Sequence, residues 1–363
     1  KQGNETILNY SKIYQIVNDK SSGDETLNIF KVKENNLYGI INAKGEVLLK
    51  PKFDYFGGFY NGYSAVRKGG KYGIIDLKGN TIIQTEYDEI GNFWNRLCRV
   101  KKESLYGCID IDNNVRIPLE YEYLDDPGKQ IIAKKNGKYG IISYDNTIIL
   151  PFEYDRVFAF RNEFAIVMKD NKYGYVNIQG DIVIPLIYDA ANSFDKEMGI
   201  AKVKKGNYYG YIDKNENKVI PIMYDYLGEF DKHGFLLAKK NSKYGYVDKN
   251  NRTKISFIYD ELRLFNEDFT VFKNSEKFGI IDRNENKINR TTSYDYISDY
   301  NEGLASVKLN GKFGCVNTDG IVVISLVYDN IIKFNYGIAE VSKNGIKYTI
   351  DRDEKCLRNC PKR

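Results

Sequence analysis

Histidine, tryptophan and methionine are scarce in this chain of 363 residues, which holds one His, one Trp and three Met. The single histidine, His233, has no nucleophile or ligand cluster near it in the sequence, which argues against histidine-based catalysis. The five cysteines form no Cys-x-x-Cys pair, so the usual zinc spacing is missing. No glycine-rich phosphate loop precedes a helical segment. We therefore expect no enzymatic activity, no metal and no cofactor.

Long hydrophobic runs are missing as well, and no stretch approaches the roughly 18 consecutive apolar residues that a membrane span requires. The formal net charge is +5, from 54 basic and 49 acidic residues. This mild excess permits an anionic partner but falls short of the charge of a strong nucleic-acid binder.

Tyrosine, phenylalanine and glycine are abundant, with 31, 19 and 31 copies against 7 prolines, which favours short strands and tight turns. An aromatic residue followed by glycine recurs, with 33 to 36 residues between successive glycines. These pairs are Tyr38-Gly39, Tyr72-Gly73, Tyr106-Gly107, Tyr139-Gly140, Tyr173-Gly174, Tyr209-Gly210, Tyr244-Gly245, Phe278-Gly279 and Phe313-Gly314. Tyr348-Thr349 follows 35 residues later and is interpreted as a tenth copy that has lost its glycine. A fixed period of this length indicates a tandem repeat.

Two further markers keep the same register. An aromatic residue followed by an acidic one comes 14 or 15 residues after each glycine, at Phe53-Asp54, Tyr87-Asp88, Tyr121-Glu122, Tyr154-Asp155, Tyr188-Asp189, Tyr224-Asp225, Tyr259-Asp260, Tyr294-Asp295 and Tyr328-Asp329. Six residues beyond each of these aromatics stands another, at Phe59, Phe93, Phe160, Phe194, Phe230, Phe265, Tyr300 and Phe334, and only Pro127 breaks that series.

Each copy is predicted to be a three-stranded antiparallel meander. In residues 164–187 the strands are 164–168, 172–177 and 182–184, with polar turns between them and Pro185 ending the third. The chain is therefore predicted to be an all-β tandem array of about ten such units. Its architecture is expected to be an open solenoid or superhelix, with a closed, many-bladed, propeller-like ring as the alternative.

The residue two positions after each marker glycine is always Ile or Val, as expected of a core position in a strand. The set is Ile41, Ile75, Ile109, Ile142, Val176, Ile212, Val247, Ile281 and Val316. The glycine itself is predicted to admit a neighbouring backbone or ring that a Cβ would exclude.

The predicted organisation has three parts. Residues 1–26 are an N-terminal partial repeat followed by an inserted loop, residues 27–351 are the array, and residues 352–363 are a tail. Cys356 and Cys360 in that tail are either a disulfide in an oxidising compartment or free thiols. A first residue other than Met fits either a removed signal peptide or a trimmed chain.

A family resemblance follows from these residues. Gly-Lys-Tyr-Gly-Ile-Ile-Asp at 70–76, Ile-Pro at 184–185, Tyr-Asp at 188–189 and the following Phe194 resemble the bacterial WG-repeat family, with Tyr or Phe where that family typically has Trp. The resemblance covers nearly all of the chain. It implies an all-β repeat protein, often exported or attached to larger proteins, and it supplies no catalytic residues.

Lysine stands two residues before most marker glycines, at Lys71, Lys138, Lys172, Lys243, Lys277, Lys312 and, in the copy without its glycine, Lys347. Equivalent positions of a repeat array align in space, so these lysines are predicted to form a row. Lys138, Lys172, Lys243 and Lys277 are candidates for binding an anionic polymer. The alternative is that lysines at turn edges prevent strands of separate molecules from pairing.

The second and third copies carry the sharpest candidate site. Phe93, Trp94 and Arg96 lie in one loop, and the equivalent loop of the next copy has lost its aromatic and carries Asp125 and Asp126. The two loops are predicted to lie side by side as an aromatic and acidic binding patch. In the alternative, the tryptophan covers a gap that Pro127 leaves.

Together these features predict a non-catalytic protein-interaction or scaffold module, exported or attached to the bacterial surface, with a cytoplasmic location left open. A protein is the expected partner. A carbohydrate-binding module that uses exposed tyrosines as stacking platforms is the alternative, and another anionic polymer is a further possible partner.

Overall fold

The computed structural model describes residues 10–15, 29–94, 96–128, 130–266, 268–288 and 293–361, and within these ranges every regular element is a β-strand. The strands form ten antiparallel sheets in tandem, each of three or four strands, which confirms the predicted all-β repeat fold. The chain divides into two compact units, Lys1–Ser193 and Phe194–Arg363.

In the first unit the strands follow one another in chain order within each sheet. Sheet A holds β1 (Lys12–Gln15), β2 (Ile29–Glu34), β3 (Leu37–Asn42) and β4 (Val47–Phe53). Sheet B holds β5 (Tyr55–Tyr60), β6 (Tyr63–Lys68), β7 (Lys71–Asp76) and β8 (Thr81–Tyr87). Sheet C holds β9 (Glu89–Trp94), β10 (Leu97–Lys102), β11 (Leu105–Asp110) and β12 (Val115–Tyr121). Sheet D holds β13 (Tyr123–Leu124), β14 (Ile131–Lys135), β15 (Lys138–Ile142) and β16 (Ile148–Tyr154). Sheet E holds β17 (Arg156–Val157), β18 (Phe164–Lys169), β19 (Lys172–Asn177) and β20 (Ile182–Tyr188), and the short β21 (Ala190–Ala191) follows it.

The second unit continues the pattern. Sheet F holds β22 (Ile200–Lys205), β23 (Tyr208–Asp213) and β24 (Lys218–Tyr224). Sheet G holds β25 (Tyr226–Phe230), β26 (Phe235–Lys240), β27 (Lys243–Asp248) and β28 (Thr253–Tyr259). Sheet H holds β29 (Glu261–Leu262), β30 (Phe269–Asn274) and β31 (Lys277–Asp282). Sheet I holds β32 (Tyr296–Ile297), β33 (Leu304–Leu309), β34 (Lys312–Asn317) and β35 (Val322–Tyr328). Sheet J holds β36 (Ile338–Lys343), β37 (Ile346–Asp351) and β38 (Cys356–Arg358).

The marker strand, which carries the aromatic-glycine pair, is buried on both faces. All nine predicted Ile and Val positions are buried, which confirms them as core residues. The residue directly after each glycine is buried as well, because its side chain points to the opposite face. In sheet C, Ile109 packs with Tyr87 of the preceding sheet, and Cys108 packs with Leu124 of the following sheet. Sheet C is therefore held between sheets B and D.

The last strand of sheet E is longer than predicted, because proline does not end it. β20 runs through Pro185 to Tyr188. Between the pairs Tyr175↔Ile184 and Tyr173↔Tyr188 the register shifts, so the proline lies at a bulge where its missing N–H is not needed.

The same bulge explains the marker glycine. A Cβ on Gly174 would lie 2.6 Å from the carbonyl oxygen of Ile184 and 3.0 Å from the backbone nitrogen of Leu186. Backbone covers seven other marker glycines in the same way, and the ring of Phe272 covers Gly279. The predicted close approach is confirmed.

The described residues at the two ends of the chain continue the repeat pattern in part. Ser11 occupies the position of the acidic marker. Its N–H donates to the carbonyl oxygen of Lys33, as the N–H of Asp54 donates to the carbonyl oxygen of Arg67. In sheet J the pairing places Tyr348 at the glycine position and Lys347 at the aromatic position, one residue away from the predicted register. Residues 356–358, predicted as tail, form β38, and the predicted insertion at 18–26 lies outside the described residues.

Candidate functional site

The aromatic residue that stands six positions after the aromatic-acidic marker fills the space between two adjacent sheets. Phe93 is buried, its ring centroid lies 5.4 Å from that of Tyr63 in sheet B, and it shares a core with Ile111 of its own sheet. Phe265 packs on Phe235 in the same way, with ring centroids 6.3 Å apart, and Tyr300 packs on Phe269 at 4.6 Å. In these copies one ring closes the junction between neighbouring sheets.

Between sheets C and D this ring is missing, because Pro127 occupies its position. A groove of about 1010 Å³ opens there, which we name the C–D groove. Its lining residues are Arg96, Leu97, Asp110, Ile111, Asp112, Arg116, Pro127, Gly128, Tyr144 and Asp145. The break in the aromatic series therefore coincides with the C–D groove.

The walls of the groove are the residues that would otherwise pack on the missing ring. Leu97 begins β10 opposite Asp110, just as Tyr63 begins β6 opposite Asp76. Tyr144 follows Ser143 in the turn of sheet D, at the position that Ile111 holds in sheet C. Without the ring, 63% of the surface of Tyr144 is exposed. The groove thus presents an apolar floor and an uncovered aromatic side chain.

One of the three groove carboxylates is compensated within the protein. Asp110 is buried, and its carboxylate accepts bonds from the backbone N–H groups of Asp112 and Asn114, at 3.0 and 2.9 Å, and from the Arg116 guanidinium at 2.7 Å. Burial by itself raises the pKa of Asp110, but the hydrogen bonds from Asn114 and Arg116 outweigh it and lower the pKa to about 2. This carboxylate stays charged at neutral pH and holds the turn.

The other two groove carboxylates face outwards. Asp112 and Asp145 are exposed residues of the turns in sheets C and D. The Ser143 hydroxyl donates to Asp145 and lowers the pKa of its carboxyl. Neither carboxylate forms a salt bridge with any cation in the described part of the chain.

The structure separates the predicted patch residues into different roles. Phe93 is a core residue, so its predicted exposure to a partner is wrong. Trp94 has 53% of its surface exposed, and Arg96 lines the C–D groove. Asp125 accepts a hydrogen bond from the Tyr123 hydroxyl. Asp126 lies 3.4 Å from Nε of Arg99.

The predicted lysine positions are ion-paired. Each of six marker lysines contacts the aspartate of the acidic marker that follows it: the pairs are Lys71–Asp88, Lys138–Asp155, Lys172–Asp189, Lys243–Asp260, Lys277–Asp295 and Lys312–Asp329. An anionic polymer would have to compete with a carboxylate already in place. Lys347 stands outside this set, because of its shifted register, and lies 4.0 Å from Glu340.

Within each of the two units, the acidic marker joins one sheet to the next. Asp155, at the end of sheet D, accepts a bond from Lys138 of sheet D and a 2.8 Å bond from the N–H of Asp170 in sheet E. The tyrosine beside the marker acid also reaches across: Tyr121 donates at 2.7 Å to Asn146 in the next turn. The aromatic-acidic marker therefore has a structural role.

We expect the lysine–aspartate pairs to make stability depend on acid pH. Their lysine partners lower the pKa of Asp88, Asp155, Asp260, Asp295 and Asp329 below the ordinary value of 3.8. A lowered folded-state pKa gives stability that is present above 3.8 and lost as pH falls through the folded value.

The test is a melting-temperature series from pH 5 to 2.5 on the wild type and on a variant with methionine at Lys138, Lys172, Lys243 and Lys277. The wild type should melt higher at pH 5, and the difference should narrow as the aspartates protonate. A difference that stays constant across this range would contradict the assignment.

The cysteines and the histidine do not build a reactive site. Cys98, Cys108 and Cys315 are free and buried, and burial raises the pKa of each thiol to about 12. Cys356 and Cys360 form a disulfide, with Cα atoms 5.8 Å apart. His233 is exposed on a turn of sheet G.

Sequence reasoning located the groove but missed most of its lining. Asp110, Ile111, Asp112, Arg116 and Tyr144 were not among the candidates, although Pro127 had marked the site. Aligning Tyr144 with Ile111 in the repeat register would have shown an aromatic residue next to the broken position. No such signal exists for Arg116, because only the folded turn brings it to Asp110.

The sheets and their shared junctions define a tandem β-repeat protein, and the junction between sheets C and D is open. The chain belongs to the WG containing repeat family, whose model matches nine consecutive segments: 38–72, 72–106, 106–139, 139–173, 173–209, 209–244, 244–278, 278–313 and 313–345. Among curated proteins, no sequence matches this chain. Within the described residues, no helix is long and apolar enough to cross a membrane.

Several solved structures resemble the chain weakly. Hsv2 of Kluyveromyces lactis is 9% identical, with a TM-score of 0.27, and the match covers 68% of this chain and 89% of that one. PorZ, a surface component of the type-IX secretion system of Porphyromonas gingivalis, is 12% identical, with a TM-score of 0.26, over 94% of this chain and 58% of that one. The extracellular domain of BT4673 from B. thetaiotaomicron is 10% identical, with a TM-score of 0.24, over 91% and 64%. Scores this low carry no inference about function.

Proposed function

We propose that this protein is a non-catalytic interaction module that binds a protein partner at the C–D groove. The observation that carries the proposal is the coincidence of the missing ring with an open groove and an exposed aromatic wall. Repeat arrays present extended surfaces for recognition, and a position that breaks the repeat pattern has escaped its packing constraint. Apolar pockets with a few convergent polar groups are the common form of a binding site.

The absence of catalysis is part of the proposal. Asp110 is charged at neutral pH and engaged by Arg116, so it does not offer the raised pKa of a general acid. Export to an oxidising compartment is proposed as well, since the Cys356–Cys360 disulfide is of a kind that persists there.

A carbohydrate-binding module is the second candidate, favoured by the exposed ring of Tyr144 beside Asp145. The exposed ring of Tyr55 is less suited to stacking. Arg67 lies 5.9 Å from its ring centroid, so an internal cation already lies over this ring.

The experiment that tests the proposal compares ligand classes directly. The full chain is immobilised and exposed to the exported protein fraction of its source organism, and in parallel to a glycan array. A protein retained at physiological salt, with no glycan bound, is the expected result. Glycan binding without a protein partner would favour the second candidate and overturn the first.

Trp94 gives a prediction of its own, because it lies two residues from groove residue Arg96. We expect Trp94→Ala to weaken binding of the retained partner by about tenfold or more, the effect of losing an exposed aromatic at an interface. The melting temperature should change little, since more than half of the ring is exposed. Stability and affinity are measured in parallel. Lower stability with unchanged affinity would show that the ring only covers the gap at Pro127.

A further inference from the structure

At the C–D groove the chain lacks the aromatic side chain that other copies carry at the equivalent position. Elsewhere a phenylalanine or tyrosine of the chain itself lies between two sheets, as Phe93 does between Tyr63 and Ile111. At the C–D junction the equivalent walls, Leu97 and Tyr144, line an open groove. The surface is therefore shaped for an aromatic ring that the chain does not supply.

We propose that the groove binds a peptide segment of a partner protein by taking up one aromatic side chain with a lysine or arginine beside it. The proposal deepens the function proposed above and rests on it. The ring from the partner replaces the missing one in trans. Side chains at this position in other copies show the expected environment, since Phe93 and Phe334 are almost fully buried.

The charge at the edge of the C–D groove determines which residue of the partner is favoured next to its aromatic ring. Among the described lining residues, three carboxylates stand against two guanidinium groups, and the pairing of Asp110 with Arg116 removes one of each. Asp112 and Asp145 then outnumber Arg96. The exposed ring of Tyr144 offers a second attraction for a cation, through its electron-rich face. A basic residue next to the aromatic is the complementary choice.

A larger side chain at position 128, in place of Gly128, can fill the groove without a clash with the backbone. It lines the cavity, its backbone is not in the left-handed region, and a Cβ there would lie 3.6 Å or more from its neighbours. Alanine should therefore be tolerated at this position, and phenylalanine should fill the groove. Gly58 is the matched control, because it is exposed in β5 of sheet B and a Cβ there would meet nothing within 4 Å.

The test is selection of a displayed library of random heptapeptides on the full chain, followed by affinity measurements on the enriched peptides. We expect enrichment of Phe, Tyr or Trp next to Lys or Arg. Gly128→Phe should weaken binding of these peptides on the order of tenfold or more, whereas Gly58→Phe should leave it unchanged. The melting temperatures of both variants are measured to confirm that they fold.

The charge is tested by a double-mutant cycle. Asp112→Asn combined with Asp145→Asn should weaken binding of a selected peptide by roughly fivefold, and the effect should vanish when the basic residue of that peptide is replaced by alanine.

Failure of the inference is distinct from failure of the proposed function. If peptides or a protein partner bind equally well to Gly128→Phe, the protein is still an interaction module, but the C–D groove is not the place where it binds them. The aromatic ligand would be overturned if the enriched peptides lacked an aromatic residue, or if no peptide were enriched. It would also be overturned if the chain bound a glycan and Gly128→Phe abolished that binding.

Discussion

Gly174→Val is expected to destabilise the first unit by roughly 3 kcal/mol or more, which corresponds to a fall in melting temperature of about 10 °C. The Cβ would lie 2.6 Å from the Ile184 carbonyl oxygen and 3.0 Å from the Leu186 nitrogen. Both atoms belong to the bulge of β20, and backbone held by its own hydrogen bonds cannot move aside as a flexible side chain can. Valine's preference for strands does not offset such a contact.

Gly58→Val is the control for the general effect of replacing a strand glycine. Its Cβ would meet nothing within 4 Å, so the melting temperature should stay the same or rise slightly. Thermal unfolding followed by calorimetry distinguishes the two. Equal melting temperatures for both variants would mean that the bulge is free to move away from Gly174.

Glu285→Ala is expected to destabilise the second unit by about 2 to 3 kcal/mol, because one carboxylate satisfies three donors. It accepts bonds from the Ser256 N–H at 3.1 Å, from the Ser256 hydroxyl at 2.7 Å and from the Tyr259 hydroxyl at 2.9 Å. Burial and this carboxylate raise the pKa of Tyr259, so its hydroxyl stays protonated and needs an acceptor. Glu354 binds Ser325 and Tyr328 in the same way.

Other copies suggest a rescue. At the position of Ser256 four other copies carry proline, which has no N–H and no hydroxyl; these residues are Pro118, Pro151, Pro185 and Pro221. Ser256→Pro in the Glu285→Ala background should therefore restore a substantial part of the lost stability. A double-mutant cycle measured by chemical denaturation gives the coupling. Purely additive losses would show that serine and glutamate are not a matched pair.

These two predictions concern the contacts that make neighbouring copies depend on each other. The marker aspartate, the marker tyrosine and the bulge over the glycine all act between adjacent strands or adjacent sheets. The proposed binding at the C–D groove depends on these contacts, because they hold the two walls of the groove in place. Arg99 contributes directly: its guanidinium donates at 2.9 Å to the carbonyl oxygen of Leu124 in sheet D.

The sequence by itself determined the repeat, its markers and its core positions. The two-residue period of a strand puts Ile109 and Cys108 on opposite faces, and hairpin turns need residues that accept positive φ, as Asn136 and Gly137 do. Such local requirements are set by the residue types themselves. The position of the break at Pro127 was visible for the same reason, since it departs from a fixed register.

Contacts between residues far apart in the chain were decided by the tertiary structure. Pro185 looked like a strand end, and only the bulge against Gly174 shows why the strand continues. Lys138 looked like a free cation until Asp155, 17 residues away, was brought beside it. Tyr348 was assigned to the wrong register because the spacing of one copy cannot show which strand residue it faces. The open space between Leu97 and Tyr144 likewise exists only once two sheets are packed, because a missing side chain becomes a groove only where its neighbours stay fixed.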